Sequence, residues 1–335
     1  MVHLKIFYVA NNGNDQWTGH LKEPNKNKTD GPLASLEGAR KAVKRYKKKK
    51  GLLEPIEVRF CQGSYPLQKP VIFRPEDSGT EEKPITYTSC SDEEVIIHGG
   101  YLIKEWEQVN KDLWKVSLPR LSGNEFDFHQ LFCNGKRVIR SKLPVDKKWY
   151  HLEPANTDNG DQKTNNRFHC VQGGLSDYKD LSNSELVVLN RWNNSRLHIN
   201  SINSTKQIVN YDGEIFRGVR EGKRFYIENI KAGLIKPGTW YLDKDEGILF
   251  YHARPGQNVL EDEFYVPILP CLVKLAGESG SEDYVEYLNF KSFNFRYSCF
   301  DFPEEGITGR QAATYLDSSI LLDYARNCKV TGNNL

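Results

Sequence analysis

Asp283 and Asp323 are the residues whose type and spacing could support acid/base chemistry, because they lie 40 positions apart in two similar stretches of sequence. Hydrolysis of a glycosidic bond needs two carboxyl groups separated by either ~5–5.5 Å or ~6.5–9.5 Å. Strands stacked on one another are ~4.8 Å apart, so two aspartates in register on neighbouring strands would meet this requirement. The alternative is that both are solvated turn residues without a catalytic role, since aspartate is common in turns.

Other classes of site have weaker sequence support. The histidines do not form an H-x-x-x-H or H-E-x-x-H spacing, and the seven cysteines do not form a C-x-x-C pair. A nucleophile elbow, a phosphate-binding loop and a dinucleotide fingerprint are also missing. We therefore predict no metal and no cofactor, and we interpret the cysteines as buried free thiols.

Composition excludes several classes of protein. The 46 lysines and arginines nearly balance the 44 aspartates and glutamates, which argues against a nucleic-acid-binding protein. Aromatic residues make up 12% of the chain, which argues against disorder. Apolar runs fall short of the ~18 residues that span a bilayer, so we predict no membrane partner. The first residues do not resemble a Sec-type export signal, and the expected location is extracellular if a leader was removed and otherwise cytoplasmic.

The elements that would position these residues begin with one helix. Apolar residues at three- and four-residue steps predict a helix from about Ser35 to Lys50, with Ser35 as N-cap, Gly51 at its end and a solvated basic face. The apolar period then changes to two, in short runs at Ile56–Cys61, Val71–Phe73, Ile85–Tyr87 and Val95–Ile97. A single helix before many short strands favours a solenoid whose open end is covered by that helix.

The segment from residue 101 to 265 has a different sequence pattern. It contains hairpin-like units at Leu131–Ile139, whose Asn134-Gly135 favours a type I′ turn, and at Thr239–Tyr251. We therefore predict an inserted domain of antiparallel strands. Its tryptophans could stack on sugar rings or could pack in the core. They are Trp106, Trp114, Trp149, Trp192 and Trp240.

Near the end of the chain the sequence repeats. The stretch Asp283–Phe295 aligns with Asp323–Leu335 with its apolar positions in step, which is typical of stacked coils of a parallel β-helix. This alignment predicts that Tyr284 lies above Tyr324 and that Ser298–Gly309 is an extra loop. Because Leu335 falls on the last apolar position of the second coil, we expect the sequence to be the front part of a longer, truncated protein.

The predicted architecture is all-β: a right-handed parallel β-helix with an N-terminal capping helix and an inserted antiparallel β-domain. Residues 1–100 would form the cap and the first strands, 101–265 the inserted domain, and 266–335 the early coils of the helix, truncated at the C-terminus.

Several short motifs together resemble one known family. They are Phe7–Ala10, Gly13–Asp15, Asp30–Leu36, Gly63–Leu67, Asp77–Thr80, Pro84–Tyr87, Leu131–Gly135, Trp240–Asp243, Gln311–Ala313 and Ala325–Cys328. As a set they are similar to glycoside hydrolase family 141, whose members act on plant polysaccharides as α-L-fucosidases or xylanases. The resemblance implies a polysaccharide or oligosaccharide partner. It places the catalytic acids in later coils, so no catalytic residue is carried over to this sequence.

Three functions are therefore compatible with the sequence. The first is the N-terminal portion of a glycoside hydrolase, which by itself would be inactive or weak. The second is a polysaccharide lyase on the same scaffold, and the third is a non-catalytic carbohydrate-binding or surface module. Unsaturated products would identify the lyase, reducing sugar without them would identify the hydrolase, and binding without turnover would identify the module.

Overall fold

The computed structural model describes residues 3–90, 93–118, 128–146, 149–156, 163–280, 282–300, 302–303, 305–309 and 316–335. The motif at Gln311–Ala313 lies outside this set. The chain is mainly β and divides into two compact units. Unit 1 comprises Met1–Tyr101, Pro267–Cys299 and Asp317–Leu335, and unit 2 comprises Leu102–Val266 and Phe300–Leu316. Within the described ranges, the helices are too short or too polar to cross a membrane.

The elements up to residue 103 are β1 (Lys5–Val9), α1 (Leu36–Lys50), β2 (Ile56–Phe60), β3 (Gly63–Pro66), β4 (Val71–Phe73), β5 (Ile85–Ser89), β6 (Val95–His98) and β7 (Gly100–Ile103). The next are β8 (Glu107–Gln108), β9 (Leu113–Ser117), β10 (Leu131–Cys133), β11 (Lys136–Arg140), β12 (Lys142–Leu143), β13 (Tyr150–Asn156), β14 (Lys163–Cys170), β15 (Glu185–Leu189), β16 (Asn194–Asn203), β17 (Ile208–Tyr211), β18 (Arg224–Glu228), β19 (Thr239–Asp243), β20 (Ile248–His252) and β21 (Phe264–Pro267). The last are β22 (Val273–Ala276), β23 (Val285–Glu286), β24 (Leu288–Lys291), β25 (Asn294–Arg296), β26 (Ile307–Thr308), β27 (Ile320–Asp323), β28 (Ala325–Arg326) and β29 (Lys329–Thr331).

Unit 1 is built from parallel sheets. Sheet A has the strand order β1-β2-β5-β24-β29, sheet B contains β3, β6 and β25, and sheet C contains β4, β22 and β27. The chain visits the sheets in the repeating order A, B, C, as in β2, β3 and β4 and again in β24, β25 and β27. Each sheet thus gains one parallel strand per circuit of the chain.

The 40-residue repeat is confirmed in this unit. The pairs at that offset are Val285 with Ala325, Phe290 with Val330, and Asn294 with Asn334. The rings of Tyr284 and Tyr324 lie 6.4 Å apart between centroids, as predicted.

The corners of the two coils repeat at the same offset. Tyr287 and Asn327 both adopt positive φ, at 51° and 57°, and so do Ser292 and Gly332, both at 62°. Left-handed residues reverse the chain direction sharply, and asparagine and glycine adopt this conformation at least cost. The repeat therefore includes the backbone bends as well as the strands.

The helix is confirmed, with Ser35 as its N-cap accepting a hydrogen bond from the Gly38 amide at 2.9 Å. Its apolar face packs on the core of unit 1. Most of its basic face is solvated, as expected, but the Arg40 side chain is only 15% exposed and binds the buried Asp77 at 2.9 Å. The exposed Lys44 binds Glu76 at 2.6 Å, so two ion pairs connect the helix to the turn after β4.

The core of unit 1 consists of apolar rows that run across the sheets. On sheet A, Phe7, Val58, Tyr87 and Phe290 follow one another in register. The Tyr87 and Phe290 rings stack at 5.3 Å, and Phe73 of sheet C contacts both at 5.2–5.3 Å. Aromatic side chains that face each other on neighbouring strands pack at these ring distances and stabilise the pairing of the strands.

Unit 2 contains antiparallel hairpins, as predicted. The β10–β11 hairpin has Asn134 and Gly135 at φ 50° and 76°, which is the backbone of a type I′ turn, and β19 pairs with β20. A second set of strands, β13, β14, β17, β16, β15 and β18, closes into a ring because β15 also pairs with β18. The ring encloses an apolar core that includes Phe168 and Phe225. The predicted extra loop contributes β26 to this unit, where it pairs with β16.

Candidate functional site

A polar groove of about 1020 Å³ lies along the outer face of sheet A. Its floor follows from strand periodicity, since every second residue of a strand points away from the core. Register places Tyr8, Arg59, Thr88 and Lys291 in one row across four strands, and all four line the groove. The groove therefore presents hydrogen-bonding groups that recur at the strand spacing of ~4.8 Å.

Charged side chains in this groove are already partly paired. Arg59 binds Glu57 at 2.5 Å, and this hydrogen bond raises the pKa of Arg59 above its ordinary value. Glu94 binds Arg296 at 2.9 Å. These pairs are partly exposed, so a ligand with many hydroxyl groups could share their donors and acceptors.

Asparagines line one end of the groove. Asn334 donates to the Oδ1 atom of Asn294 at 3.1 Å, one coil away. The Asn333 amide group binds the backbone of the neighbouring coil, donating to the Phe290 carbonyl at 2.8 Å and accepting from the Phe293 amide at 2.9 Å. The asparagines thus hold the corner between adjacent coils.

Two cysteines and a glutamate meet at the edge of the groove. The Sγ atoms of Cys61 and Cys90 are 4.0 Å apart, and a carboxylate oxygen of Glu93 completes a cluster in which all three atoms lie within 4.8 Å of one another. Burial, followed by the proximity of Cys90, raises the pKa of the Cys61 thiol to about 12. Both cysteines are only partly buried, in contrast to the buried thiols expected from the sequence.

The predicted aspartate pair occupies different positions in the register. Asp323 is the last residue of β27 and stands opposite Ala276, while Asp283 lies in the loop between β22 and β23. The carboxylate of Asp323 binds Lys274 at 3.2 Å. The residue opposite Asp323 is thus determined by strand pairing in sheet C and not by the 40-residue repeat. An acid/base role for Asp283 and Asp323 stays a prediction.

Unit 2 has a second pocket, of about 590 Å³, with a basic lining. The cationic residues are Arg191, Arg217, Arg220, Lys223 and Arg224, and among the described residues Glu221 is the one carboxylate that lines it. Burial and the nearby Arg220 lower the pKa of Lys223 to about 8. The arrangement can bind an anionic group.

The tryptophans of unit 2 differ in exposure. Trp240 and Trp106 are buried, as the core interpretation expects, whereas Trp192 is 51% exposed and lines the basic pocket. The Arg217 guanidinium lies 5.1 Å from the centre of the Trp192 ring. An aromatic ring beside several cations is suited to an acidic saccharide.

A network of charged side chains is buried in unit 2. The Glu185 carboxylate, fully buried on β15, binds Arg140 at 2.5 Å, His129 at 2.8 Å and Arg196 at 3.0 Å. Although burial opposes the charged form, the positive charge of Arg140, followed by the contact with His129 and the charge of Arg196, holds the pKa of Glu185 well below its usual range. We interpret this network as structural because every partner is itself a side chain of unit 2.

The groove and the cysteine cluster were not predicted from the sequence. The available signal was weak: Cys61 and Cys90 each directly follow a strand of sheet A, and pairing of those strands brings them together. The 29-residue separation between them resembles no standard metal-binding spacing. The proximity of the two cysteines therefore follows from the order of strands in sheet A and not from their spacing in the sequence.

Comparison with known proteins supports the fold. No protein-family model and no curated protein matches the chain. A solved structure named "Glycoside hydrolase" matches with a TM-score of 0.71 and 22% identity over 88% of this chain, so the chain shares the fold of that structure. The match covers 51% of that protein, so this chain spans about half of its length. A structure described as the complex of XylC with xylose matches with a TM-score of 0.41, 18% identity, and coverage of 88% of this chain and 35% of that one.

Proposed function

We propose that the chain is the N-terminal portion of a carbohydrate-active protein, a glycoside hydrolase of the fucosidase/xylanase type that resembles family 141. In this proposal unit 1 is a right-handed parallel β-helix, α1 is its cap, and residues 101–265 form an inserted domain. The repeating visit to sheets A, B and C and the confirmed 40-residue register support a β-helix. The shared fold with a structure named "Glycoside hydrolase" supports the class of protein.

The observation that carries the proposal is the polar row on sheet A. A polysaccharide is a chain of similar units rich in hydroxyl groups, so it matches a surface whose donors and acceptors recur at a constant spacing. Tyr8 adds an aromatic ring at one end of the row, and Arg59 and Lys291 add donors within it. The groove is open to solvent along the sheet, which suits an extended ligand. The proposal assigns no catalytic acid to this chain.

Binding of neutral oligosaccharides to the purified chain tests the proposal. Xylo-oligosaccharides and fucosylated oligosaccharides would be titrated by calorimetry into the wild type and the Lys291→Ala and Arg59→Ala variants. We expect each variant to weaken binding about tenfold, the loss of one charge-assisted hydrogen bond.

Lys274→Ala is the matched control, because Lys274 is a partly exposed lysine on the outer side of sheet C and does not line the groove. Absence of binding to every neutral oligosaccharide, or an equal loss in Lys274→Ala and Lys291→Ala, would contradict the proposal. Assays of the longer protein for reducing sugar would then separate a hydrolase from a non-catalytic module.

The basic pocket favours a second candidate function. Its cations and Trp192 would recognise a uronic-acid polymer, the substrate class of a polysaccharide lyase, or would let the chain act as a binding module for such a polymer. Titration with polygalacturonate and with neutral xylan distinguishes the candidates. Binding that prefers the acidic polymer and is lost in Arg217→Ala favours the second, and appearance of unsaturated products identifies a lyase.

A further inference from the structure

The cluster formed by Cys61, Cys90 and Glu93 has no role in the functions considered so far. The three residues come from two circuits of the chain: Cys61 follows β2, while Cys90 and Glu93 follow β5. Because Phe60 pairs with Ser89, the two cysteines leave sheet A side by side. Backbone hydrogen bonds fix this corner, from the Cys61 amide to the Val9 carbonyl at 2.8 Å and from the Cys90 amide to the Phe60 carbonyl at 2.7 Å.

The distances fit a tetrahedral metal site better than they fit a disulfide. With zinc–sulfur bonds of ~2.3 Å, two thiolates on one tetrahedral ion lie ~3.8 Å apart. The observed separation of the Cys61 and Cys90 Sγ atoms is 4.0 Å, so coordination needs a movement of a few tenths of an ångström. A disulfide of ~2.05 Å would need an approach of ~2 Å.

Glu93 is held in place by its own contacts. Its amide donates to the Cys90 carbonyl at 3.1 Å, and its Oε2 atom accepts a hydrogen bond from the Gln62 amide at 2.7 Å. A carboxylate oriented by a backbone donor is typical of metal ligands with a supporting outer shell. Gln62 is adjacent to Cys61 in the chain, so the same backbone segment positions two of the three ligands.

The charge of the cluster also suits a soft divalent cation. Two thiolates and one carboxylate around a divalent ion carry one net negative charge, and Lys22 lies close enough to Cys61 to act on it electrostatically. Thiolate ligands select zinc and similar soft ions over calcium and magnesium, which prefer oxygen.

We propose that Cys61, Cys90 and Glu93 form a binding site for one soft divalent cation of the zinc class. Three protein ligands leave one tetrahedral position for water or another oxygen ligand. A bound ion would join the ends of β2 and β5 and so strengthen sheet A beside the groove.

Cadmium titration of the reduced chain tests this site directly, since cadmium–thiolate bonds give an ultraviolet charge-transfer band. We expect one equivalent of cadmium to produce the band in the wild type, to raise its melting temperature, and to be displaced by zinc. Cys61→Ser and Cys90→Ser should lose the band. Glu93→Gln should keep it but weaken cadmium binding at least about tenfold, the lower end of what loss of even an outer-shell partner costs.

Cys328→Ser is the matched control, because Cys328 is a partly buried free cysteine of unit 1 outside the cluster. It should bind cadmium as the wild type does. If the cysteine variants misfold, Glu93→Gln still tests the site, because it leaves both thiols in place. The proposal is overturned if the reduced wild type gives no band, if the band persists in both cysteine-to-serine variants, or if Glu93→Gln binds cadmium as tightly as Cys328→Ser.

Discussion

The two units of this chain differ in how much charge they bury. Unit 1 fills its interior with apolar rows such as Val58, Tyr87 and Phe290. It directs polar residues to the outer face of sheet A and buries the Asp77 carboxylate in a pair with Arg40 beside the helix. Unit 2 buries the charged Glu185 outside the apolar core of its strand ring, among Arg140, His129 and Arg196. We therefore expect the stability of unit 1 to depend mainly on the volume and shape of its apolar side chains, and the stability of unit 2 to depend on pH through Glu185.

The strongest test of this difference is Phe290→Ala in unit 1. Phe290 is fully buried and contacts both Tyr87 and Phe73, so truncation leaves a cavity between sheets A and C. We expect the free energy of unfolding of unit 1 to fall by about 3–5 kcal/mol. Urea denaturation followed by circular dichroism would measure it.

Val330→Ala is the control for this substitution, because Val330 occupies the same row one strand further along but is 37% exposed. It should cost far less. Equal losses in the two variants would mean that the row does not form a continuous packed core.

Glu185→Gln is the corresponding test in unit 2. It leaves the Arg140 guanidinium buried without its carboxylate, and we expect a loss of about 3 kcal/mol in the free energy of unfolding. Because the folded-state pKa of Glu185 lies well below its value in the unfolded chain, its contribution is present above about pH 4.5 and is lost as the pH falls below that value.

The stability of unit 2 in the wild type should thus decline in acid more steeply than that of the variant. Glu94→Gln provides the control, since its pair with Arg296 in unit 1 is partly exposed to solvent, whereas the Glu185 network is buried. An identical acid profile for Glu185→Gln and the wild type would show that the network is not a pH-dependent element.

The same contrast explains what could be predicted from the sequence. Local patterns were sufficient for the helix with its Ser35 cap, for the Asn134-Gly135 hairpin and for the 40-residue repeat, because each depends on residues near in sequence or on a direct repetition. The groove, the cysteine cluster and the Glu185 network unite residues distant in sequence, and their positions depend on strand order. Asp323 shows the limit clearly, since a strand from another circuit of the chain, β22, determines its neighbour.

Ligand binding to the basic pocket of unit 2 should also depend on pH, with a smaller change in free energy than the change in stability. As the pH rises through about 8, Lys223 loses its charge and the basic pocket of unit 2 becomes less positive. We expect affinity for polygalacturonate to fall severalfold between pH 7 and 9 by calorimetry at low salt. Lys223→Met should start with weaker binding and show a flatter pH profile, whereas a wild type without pH dependence in this range would contradict the role of Lys223.

The smallest effect is expected for Asp323→Asn in unit 1. Asp323 is about half exposed, stands opposite Ala276, and pairs with the partly exposed Lys274, so the substitution removes one surface ion pair worth about 1 kcal/mol or less. Asparagine retains the shape of the side chain, and the groove does not include this position. Oligosaccharide binding should therefore match that of the wild type in calorimetry. In a longer, active form of the protein, turnover should also be unchanged if Asp323 is a turn residue. A loss of turnover by several orders of magnitude with intact binding would instead establish Asp323 as a catalytic acid. In that case the strand pairing in sheet C, and not the 40-residue repeat, would position the catalytic group.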